Sequence, residues 1–230
     1  MNLYFLLEDE KSFFKVLPKW LEYMNFGYTR VADICNVQQN DYVLQSGQGV
    51  SQLVDKVLFE TIDTILLNPG KIDILVVVLD AEELRIEERV REVRERIENR
   101  YGIDKLAFDI AVLVCNHCFE TWLLGRCGLY PDEEIDGTSD FYRYYCQYNI
   151  EESNPEEMRP PADCRETTAQ YHFHYLCELL RYNRIRYSKS RPNNVATEEY
   201  FNGIVERVQK TGHLKSFQCF YDYIVSIREN

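Results

Sequence analysis

The segment KIDILVVVLDAE, residues 71–82, constrains the fold of this chain more than any other stretch. Six consecutive apolar residues, 74–79, lead directly to Asp80, and Glu82 follows two positions later. A continuous apolar run of this length is typical of a central parallel strand that is covered on both faces. In an open α/β sheet, the carboxyl end of such a strand borders the functional crevice. The segment therefore predicts a buried strand that delivers two carboxylates to that crevice.

Strand-like and helix-like segments alternate along the first half of the chain. The predicted strands are residues 2–7, 41–45, 71–82 and 106–115. The predicted helices are residues 12–25, 50–67 and 83–100, followed by the short segment FETWLLG at 119–125. Such alternation is typical of a parallel sheet with right-handed crossovers. We therefore predict an α/β domain over residues 1–130, with a Rossmann-like parallel sheet and flanking helices.

The second half of the chain has a different pattern. Residues 131–167 contain four prolines and two acidic clusters, which favours a long insertion or linker. From residue 168 the pattern is helical, with predicted helices at 169–182, 198–210 and 214–228 and with Thr197 as an N-cap. A short strand is expected at 184–188. Residues 168–230 are thus predicted to form a helical C-terminal subdomain packed on the first domain.

Charge and composition limit the classes of function. The 38 acidic residues exceed the 26 basic ones, giving a net charge of -12. This balance argues against nonspecific binding of nucleic acid over the whole surface, because phosphates require cations on the contact face. A local basic groove and recruitment by a protein partner both remain compatible with it.

The N-terminal sequence and the cysteines bear on the compartment. The first residues, MNLYFLLEDEK, have too short an apolar stretch and too acidic a flank for a signal peptide. Nowhere does an apolar stretch reach the roughly 18 to 20 residues that a membrane span requires. The eight cysteines do not form the pattern of a secreted disulfide scaffold. We expect a cytoplasmic protein with reduced thiols and no membrane association.

Acidic residues occupy equivalent positions next to three of the predicted strands. Glu8 follows the first strand, Asp80 and Glu82 end the central strand, and Glu120 begins the helix after the fourth. Parallel strands place their carboxyl ends at one edge of the sheet, and residues two apart on a strand share a face. Carboxylates suit Mg²⁺, and one of them, Glu8, would act as a general acid/base. The alternative is that these acids are solvent-facing strand ends and helix starts.

Three segments, in order, resemble Toprim-type proteins of the RloB-like family, which is related to OLD nucleases. They are FLLEDEKSFFKVLPKWLEYM, VVVLDAEE and NHCFETWLLG, and they span roughly residues 2–126. The resemblance implies a Toprim-like domain that cleaves phosphodiesters with Mg²⁺ or Mn²⁺ and serves phage defence, often beside an ATPase partner. It implies that Glu8, Asp80 and Glu82 are catalytic metal ligands, that Glu8 is also the acid/base, and that Glu120 is a further catalytic residue.

The chain departs from the family pattern near Glu8. Asp9 and Glu10 stand where the family has Gly and often Lys, and Phe13 stands where a further Glu is common. Additional negative charge beside Glu8 would repel a phosphate or raise carboxylate pKa values. These departures leave two hypotheses open. One is a Mg²⁺-dependent nuclease acting on DNA or RNA, and the other is a catalytically weak regulatory or interaction subunit of an ATPase-containing complex.

A basic run, RYNRIRYSKSRP at 181–192, is the strongest candidate for binding nucleic acid. Cations there could hold phosphates while the interleaved tyrosines stack on bases. The RloB-like family has a Tyr-x-Lys stretch at a similar late position, matched here by Tyr187 and Lys189. The alternative is a charged strand edge exposed to solvent. The predicted nucleic-acid-binding residues are Arg184, Arg186, Lys189, Arg191 and Lys215.

Two further questions stay open, one about function and one about oligomeric state. The glycine-containing turn at 46–49 gives weak support to a nucleotide-handling phosphotransferase, because it is too short for a phosphate-binding fingerprint. The sequence also leaves open whether the chain forms a homo-oligomer.

Overall fold

The apolar segment that leads to Asp80 forms the centre of a parallel sheet. The computed structural model describes residues 1–130 and 135–228. Within this part of the chain, the sheet has five strands in the order β2-β3-β1-β4-β5, and every neighbouring pair is parallel. The strands are β1 (Leu3–Leu7), β2 (Thr29–Val31), β3 (Asp41–Ser46), β4 (Ile74–Asp80) and β5 (Asp109–Cys115). The predicted α/β fold with a Rossmann-like sheet is confirmed.

Helices connect the strands and make up most of the C-terminal part. A π-helical turn, Leu53–Val57, joins the second and third helices into one continuous segment. The helices are α1 (Phe13–Tyr23), α2 (Val50–Gln52), α3 (Leu58–Leu66), α4 (Ile86–Tyr101), α5 (Phe119–Leu124), α6 (Asp140–Gln147), α7 (Thr168–Tyr182), α8 (Glu198–Thr211) and α9 (Lys215–Arg228). Among these helices, none is long and apolar enough to cross a membrane.

Alternating side chains of the central strands supply two hydrophobic cores. In β1, Leu3, Phe5 and Leu7 face the core that contains α1, whereas Tyr4 and Leu6 face the core that contains α3 and α4. Strand β4 is divided in the same way, which explains why its apolar run is uninterrupted. The result is a three-layer arrangement in which the sheet lies between two layers of helices.

The C-terminal helices pack into the core on the α1 side of the sheet. That core combines buried residues of β1, α1 and α5 with residues of α6, α7, α8 and α9. Helix α9 lies against β5, and α8 lies against α1. The predicted boundaries at 1–130, 131–167 and 168–230 stay a prediction, and residues 131–134 and 229–230 lie outside the described residues.

Two local predictions for the C-terminal half have different outcomes. Thr197 caps α8 as predicted, because its hydroxyl oxygen accepts a hydrogen bond from the Tyr200 amide at 3.2 Å. The predicted strand at 184–188 is wrong. Arg184 has a φ of 59°, which is incompatible with an extended strand. The segment is instead a loop with an isolated antiparallel bridge between Ser188 and Arg191.

Candidate functional site

The strand order of the sheet changes direction at β1, which has β3 on one side and β4 on the other. At such a switch point the loops after adjacent strands diverge and leave a crevice in which ligands bind. Glu8 follows β1 and Asp80 ends β4, so both residues lie at this crevice. The Glu8 amide donates to the Val78 carbonyl at 3.0 Å, and the Asp80 amide donates to Glu8 Oε2 at 2.6 Å. The structure therefore brings these two acids into direct contact.

A small cavity of about 40 Å³ opens at this point. It is lined by Glu8, Asp9, Ser12, Phe13, Val78, Leu79, Asp80, Cys115, Phe119, Glu120 and Lys189. A wider groove of about 400 Å³ shares Asp9 and Lys189 with it and is also lined by Glu10, Lys11, Gln48 and Gly49. We call the first space the inner cavity and the second the outer groove. The two spaces are therefore adjacent, with Asp9 and Lys189 between them.

Glu120 reaches the inner cavity from the first turn of α5. Its side chain is only 1% exposed. Tyr187 Oη donates to Glu120 Oε1 at 2.9 Å, and Lys189 Nζ lies 3.4 Å from Glu120 Oε2. Each carboxylate oxygen thus has a partner from the loop that follows α7. Tyr187, which the sequence suggested as a stacking residue for bases, uses its hydroxyl group to position this buried acid.

Glu82 does not line the inner cavity. Strand β4 ends at Asp80, and Glu82 adopts a φ of 53° in the turn that follows, so the prediction that both acids share one face of an extended strand is wrong. The side chain of Glu82 is 55% exposed and lies 3.9 Å from the buried guanidinium of Arg89. Its amide donates to the His117 carbonyl at 2.8 Å, which holds the turn against the end of β5. Glu82 is still close enough for its charge to act on Glu8.

The crowded acids of the inner cavity perturb one another. The pKa of Glu8 is raised to about 7, mainly by burial and in addition by the charges of Glu82 and Asp9, against the lowering effects of the Asp80 amide and Lys189. Burial, followed by the charges of Glu8 and Glu120, raises the pKa of Asp80 well above its ordinary value. Perturbed carboxylates in a crevice are typical of functional sites. The Lys189 ammonium faces several acids, so negative charge exceeds positive charge in the inner cavity.

Asp9 and Phe13 have structural roles that the sequence comparison with the family did not reveal. Asp9 Oδ2 accepts hydrogen bonds from the Ser12 amide at 2.8 Å and the Ser12 hydroxyl at 2.6 Å, and Oδ1 accepts from the Phe14 amide at 3.2 Å. Asp9 therefore caps α1 with its side chain, whereas Ser12 at the N-cap position makes no capping hydrogen bond with its side chain. Phe13 packs against Phe119 with ring centroids 4.7 Å apart. An acidic residue just before an apolar helical stretch is the sequence signal that could have identified this cap.

The five predicted nucleic-acid-binding residues lie in different places. Lys189 lines both the inner cavity and the outer groove. Arg184 lines a separate surface pocket of about 310 Å³ together with Arg126. Arg186 and Arg191 are exposed on the same loop as Lys189, and Lys215 is exposed at the start of α9. Of the five, the structure brings one, Lys189, to the acids. Lys11, which the sequence did not single out, is a second cation at the outer groove.

The donor set of the inner cavity suits a hard divalent cation. Mg²⁺ binds through one or two carboxylates plus water, and Glu8 and Asp80 both line the inner cavity, with Glu8 hydrogen-bonded to the Asp80 backbone amide. In residues 1–130 and 135–228, no group of three or more His, Cys, Asp or Glu side chains is arranged around a single metal position. Two of the acids have other partners, since Glu8 accepts from the Asp80 amide and Glu120 pairs with Lys189. The residues therefore fit a cation held by two carboxylates.

The fold and the crevice define a class, namely a three-layer, Rossmann-like α/β protein with an acidic cavity at the switch point of its sheet. Comparisons with known proteins add no closer assignment. No family model, no curated protein and no solved structure matches the chain.

Proposed function

We propose that the chain is a Toprim-type, Mg²⁺- or Mn²⁺-dependent nuclease that hydrolyses phosphodiester bonds of DNA or RNA. The proposal extends to a cytoplasmic effector of an anti-phage defence system, which rests on the resemblance to the RloB-like family alone. The observation that carries the chemistry is the contact between Glu8 and Asp80 at the switch point, inside a cavity that they share with Glu120. Two carboxylates at such a crevice are the usual requirement for holding a catalytic Mg²⁺.

Each side chain has a defined part in this chemistry. The residues that would hold the ion are Asp80 and Glu8, and the ion would neutralise the phosphodiester and lower the pKa of a bound water. Before the ion binds, the pKa of Glu8 is about 7, mainly because of burial, so Glu8 can take up or release a proton at neutral pH, whereas a bound ion would favour its carboxylate form. Glu120 sets the position of Lys189, and Lys189 faces the outer groove by which a phosphate would approach.

Cleavage assays test the proposal directly. Purified protein should cut plasmid DNA or transfer RNA in the presence of Mg²⁺ or Mn²⁺ and should lose this activity with EDTA. Glu8→Gln and Asp80→Asn should each abolish the cut, because each removes a carboxylate from the inner cavity. Glu87→Gln is the matched control, since Glu87 is exposed on α4, away from the cavity lining. Cutting that persists in both cavity variants would reject this site.

Glu82 provides a finer test of where the catalytic acids lie. The resemblance implies that Glu82 is a metal ligand, whereas its side chain points away from the inner cavity toward Arg89. If catalysis uses the cavity in its observed arrangement, Glu82→Gln should keep most of the activity that Asp80→Asn loses. An equal loss in both variants would mean that the turn after β4 rearranges when the metal binds.

A second candidate function is a regulatory or interaction subunit that retains the fold without strong catalysis. The observation that favours it is the pairing of Lys189 with Glu120, which already neutralises part of the acidic site. A thermal melting series with Mg²⁺ and Mn²⁺ separates the candidates, because a ligand that binds the native state raises its stability. Unchanged melting across the millimolar range, together with absence of cleavage, favours the subunit. In either case an ATPase partner would help a chain of net charge -12 reach nucleic acid.

A further inference from the structure

Lys189 is the single cation among the described residues that line the inner cavity. Its ammonium lies 3.4 Å from Glu120 Oε2, and its side chain is 46% exposed. The same residue also lines the outer groove, beside Lys11. Lys189 therefore spans the boundary between a buried acidic space and an open space with a second cation. Its charge acts on the cavity beyond Glu120, because it lowers the pKa values of both Glu8 and Asp80 against the opposing effect of burial.

The backbone on both sides of Lys189 is held in place. Before it, Tyr187 donates to Glu120, and the Arg186 carbonyl accepts from Asn194 Nδ2 at 2.8 Å. After it, the Ser190 carbonyl accepts from Lys15 Nζ at 2.9 Å. With the loop anchored at these points, the long stem of Lys189 is the part that can change position. A lysine has a flexible four-carbon stem, so its ammonium can move between two places while its backbone stays fixed.

We propose that Lys189 is an exchangeable internal cation. Its ammonium pairs with Glu120 until a divalent ion enters the inner cavity. The ammonium then turns to the outer groove and binds a substrate phosphate beside Lys11. The inference rests on the proposed metal site. Glu120 is almost completely buried, and a buried carboxylate without a counter-charge is unfavourable, so a cation is needed there at all times. A divalent ion and an ammonium beside the same acids repel each other, so entry of one favours departure of the other.

Two consequences follow for the site. Lys189 competes with metal, so the free protein has a lower affinity for divalent cations than its carboxylates alone would give. The released ammonium then adds positive charge to the outer groove only when the metal is bound, which couples substrate binding to metal binding. The ligand class for the groove is a phosphodiester polyanion, because Lys11 and Lys189 both line it and it adjoins the proposed metal site at Asp9 and Lys189.

Titration calorimetry with Mn²⁺ tests the competition without relying on cleavage. At a pH high enough for the cavity carboxylates to be ionised in both proteins, Lys189→Met should bind Mn²⁺ about tenfold more tightly than the wild type, because the ammonium that repels the divalent ion is absent. Arg186→Met is the matched control, because it removes one positive charge from the same loop outside the cavity lining. Lys189→Arg keeps the charge and should stay close to the wild type. If Lys189→Met fails to fold, Lys189→Gln removes the charge and keeps a donor for Glu120.

A second arm measures binding of a fluorescent phosphorothioate oligonucleotide, which resists cleavage, with and without Mg²⁺. The wild type should bind it more tightly with Mg²⁺, and this gain should be lost in both Lys189→Met and Lys11→Met. Equal or weaker Mn²⁺ binding by Lys189→Met, or an oligonucleotide gain that survives without Lys189, overturns the inference. The two proposals fail separately. Metal-dependent cleavage with no effect of Lys189 on Mn²⁺ affinity rejects only the exchange, whereas tighter Mn²⁺ binding by Lys189→Met without any cleavage rejects only the nuclease.

Discussion

Replacing Glu8 with glutamine should stabilise the protein at alkaline pH and have little effect at acidic pH. Burial is the largest cause that raises the pKa of Glu8 from its ordinary value of 4.5 to about 7. Between these two values the unfolded chain has released the proton while the folded chain retains it. Stability therefore falls as the pH rises through this window, and the loss is complete above the folded-state pKa.

The size of the effect follows from the two pKa values. The difference between 4.5 and about 7 corresponds to about 3 kcal/mol of unfolding free energy, at about 1.4 kcal/mol for each pKa unit. Glutamine carries no charge, and its amide oxygen can still accept from the Asp80 amide. Above neutral pH, Glu8→Gln should thus be more stable than the wild type by about 3 kcal/mol, and the two should converge near pH 4.5. Removing the Glu8 charge also relieves Asp80, which adds to the gain.

Urea unfolding followed by tryptophan fluorescence measures this difference from about pH 5 to about pH 8. Trp20 and Trp122 are fully buried, so both report loss of the core. Burial lowers the pKa values of His117 and His172, so their contribution to stability is lost as the pH falls. Both proteins contain these histidines, and their effect cancels in the difference. A difference that stays constant across the pH range would refute the reasoning.

Three further substitutions test other parts of the structure by urea or thermal unfolding. Asp9→Ala removes the cap of α1 and should cost about 1 kcal/mol, and unchanged stability would exclude that role. Tyr187→Phe removes the hydrogen bond from Tyr187 to buried Glu120 and should lower the free energy of unfolding by about 1 to 3 kcal/mol. Unchanged stability would mean that this hydrogen bond contributes little. Gly203→Ala places a Cβ 2.7 Å from Arg126 Cγ and should lower the free energy of unfolding by about 1 to 3 kcal/mol. In the control Gly137→Ala, the added Cβ meets nothing closer than 3.8 Å, so the stability should not change.

The periodic parts of the chain could be predicted, because a local pattern records which face of an element is buried. The run that forms β4 is apolar on both sides of the sheet, and the structure divides it between two cores. Strand β2 could not be predicted in this way. It has three residues, Thr29–Val31, and none of them is buried. Its place at the edge of the sheet depends on pairing with β3, which no local pattern encodes.

The candidate site was predictable where strand ends decide the geometry and unpredictable where side chains meet from distant parts of the chain. Glu8 and Asp80 converge because their strands are neighbours in the sheet. The position of Glu82 depends on a single positive φ in the turn after β4, which residue type does not signal for glutamate. The pairing of Lys189 with Glu120 joins residues that are far apart in sequence, and only the packing of α7 on α5 brings them together.

Two of the departures from the RloB-like pattern, Asp9 and Phe13, have structural roles in addition to lining the inner cavity. Asp9 directs its carboxylate oxygens to the N-terminus of α1, and Phe13 belongs to the aromatic core, so both positions serve the placement of the helix that follows Glu8. The remaining acidic departure, Glu10, is exposed at the outer groove. Phe13 also lines the inner cavity, so this departure places an apolar side chain there at the position where a further Glu is common in the family. The affinity of the Lys189 variants for Mn²⁺ measures whether a divalent cation competes with Lys189 at Glu120, whereas the cleavage assays decide between the nuclease and the regulatory subunit.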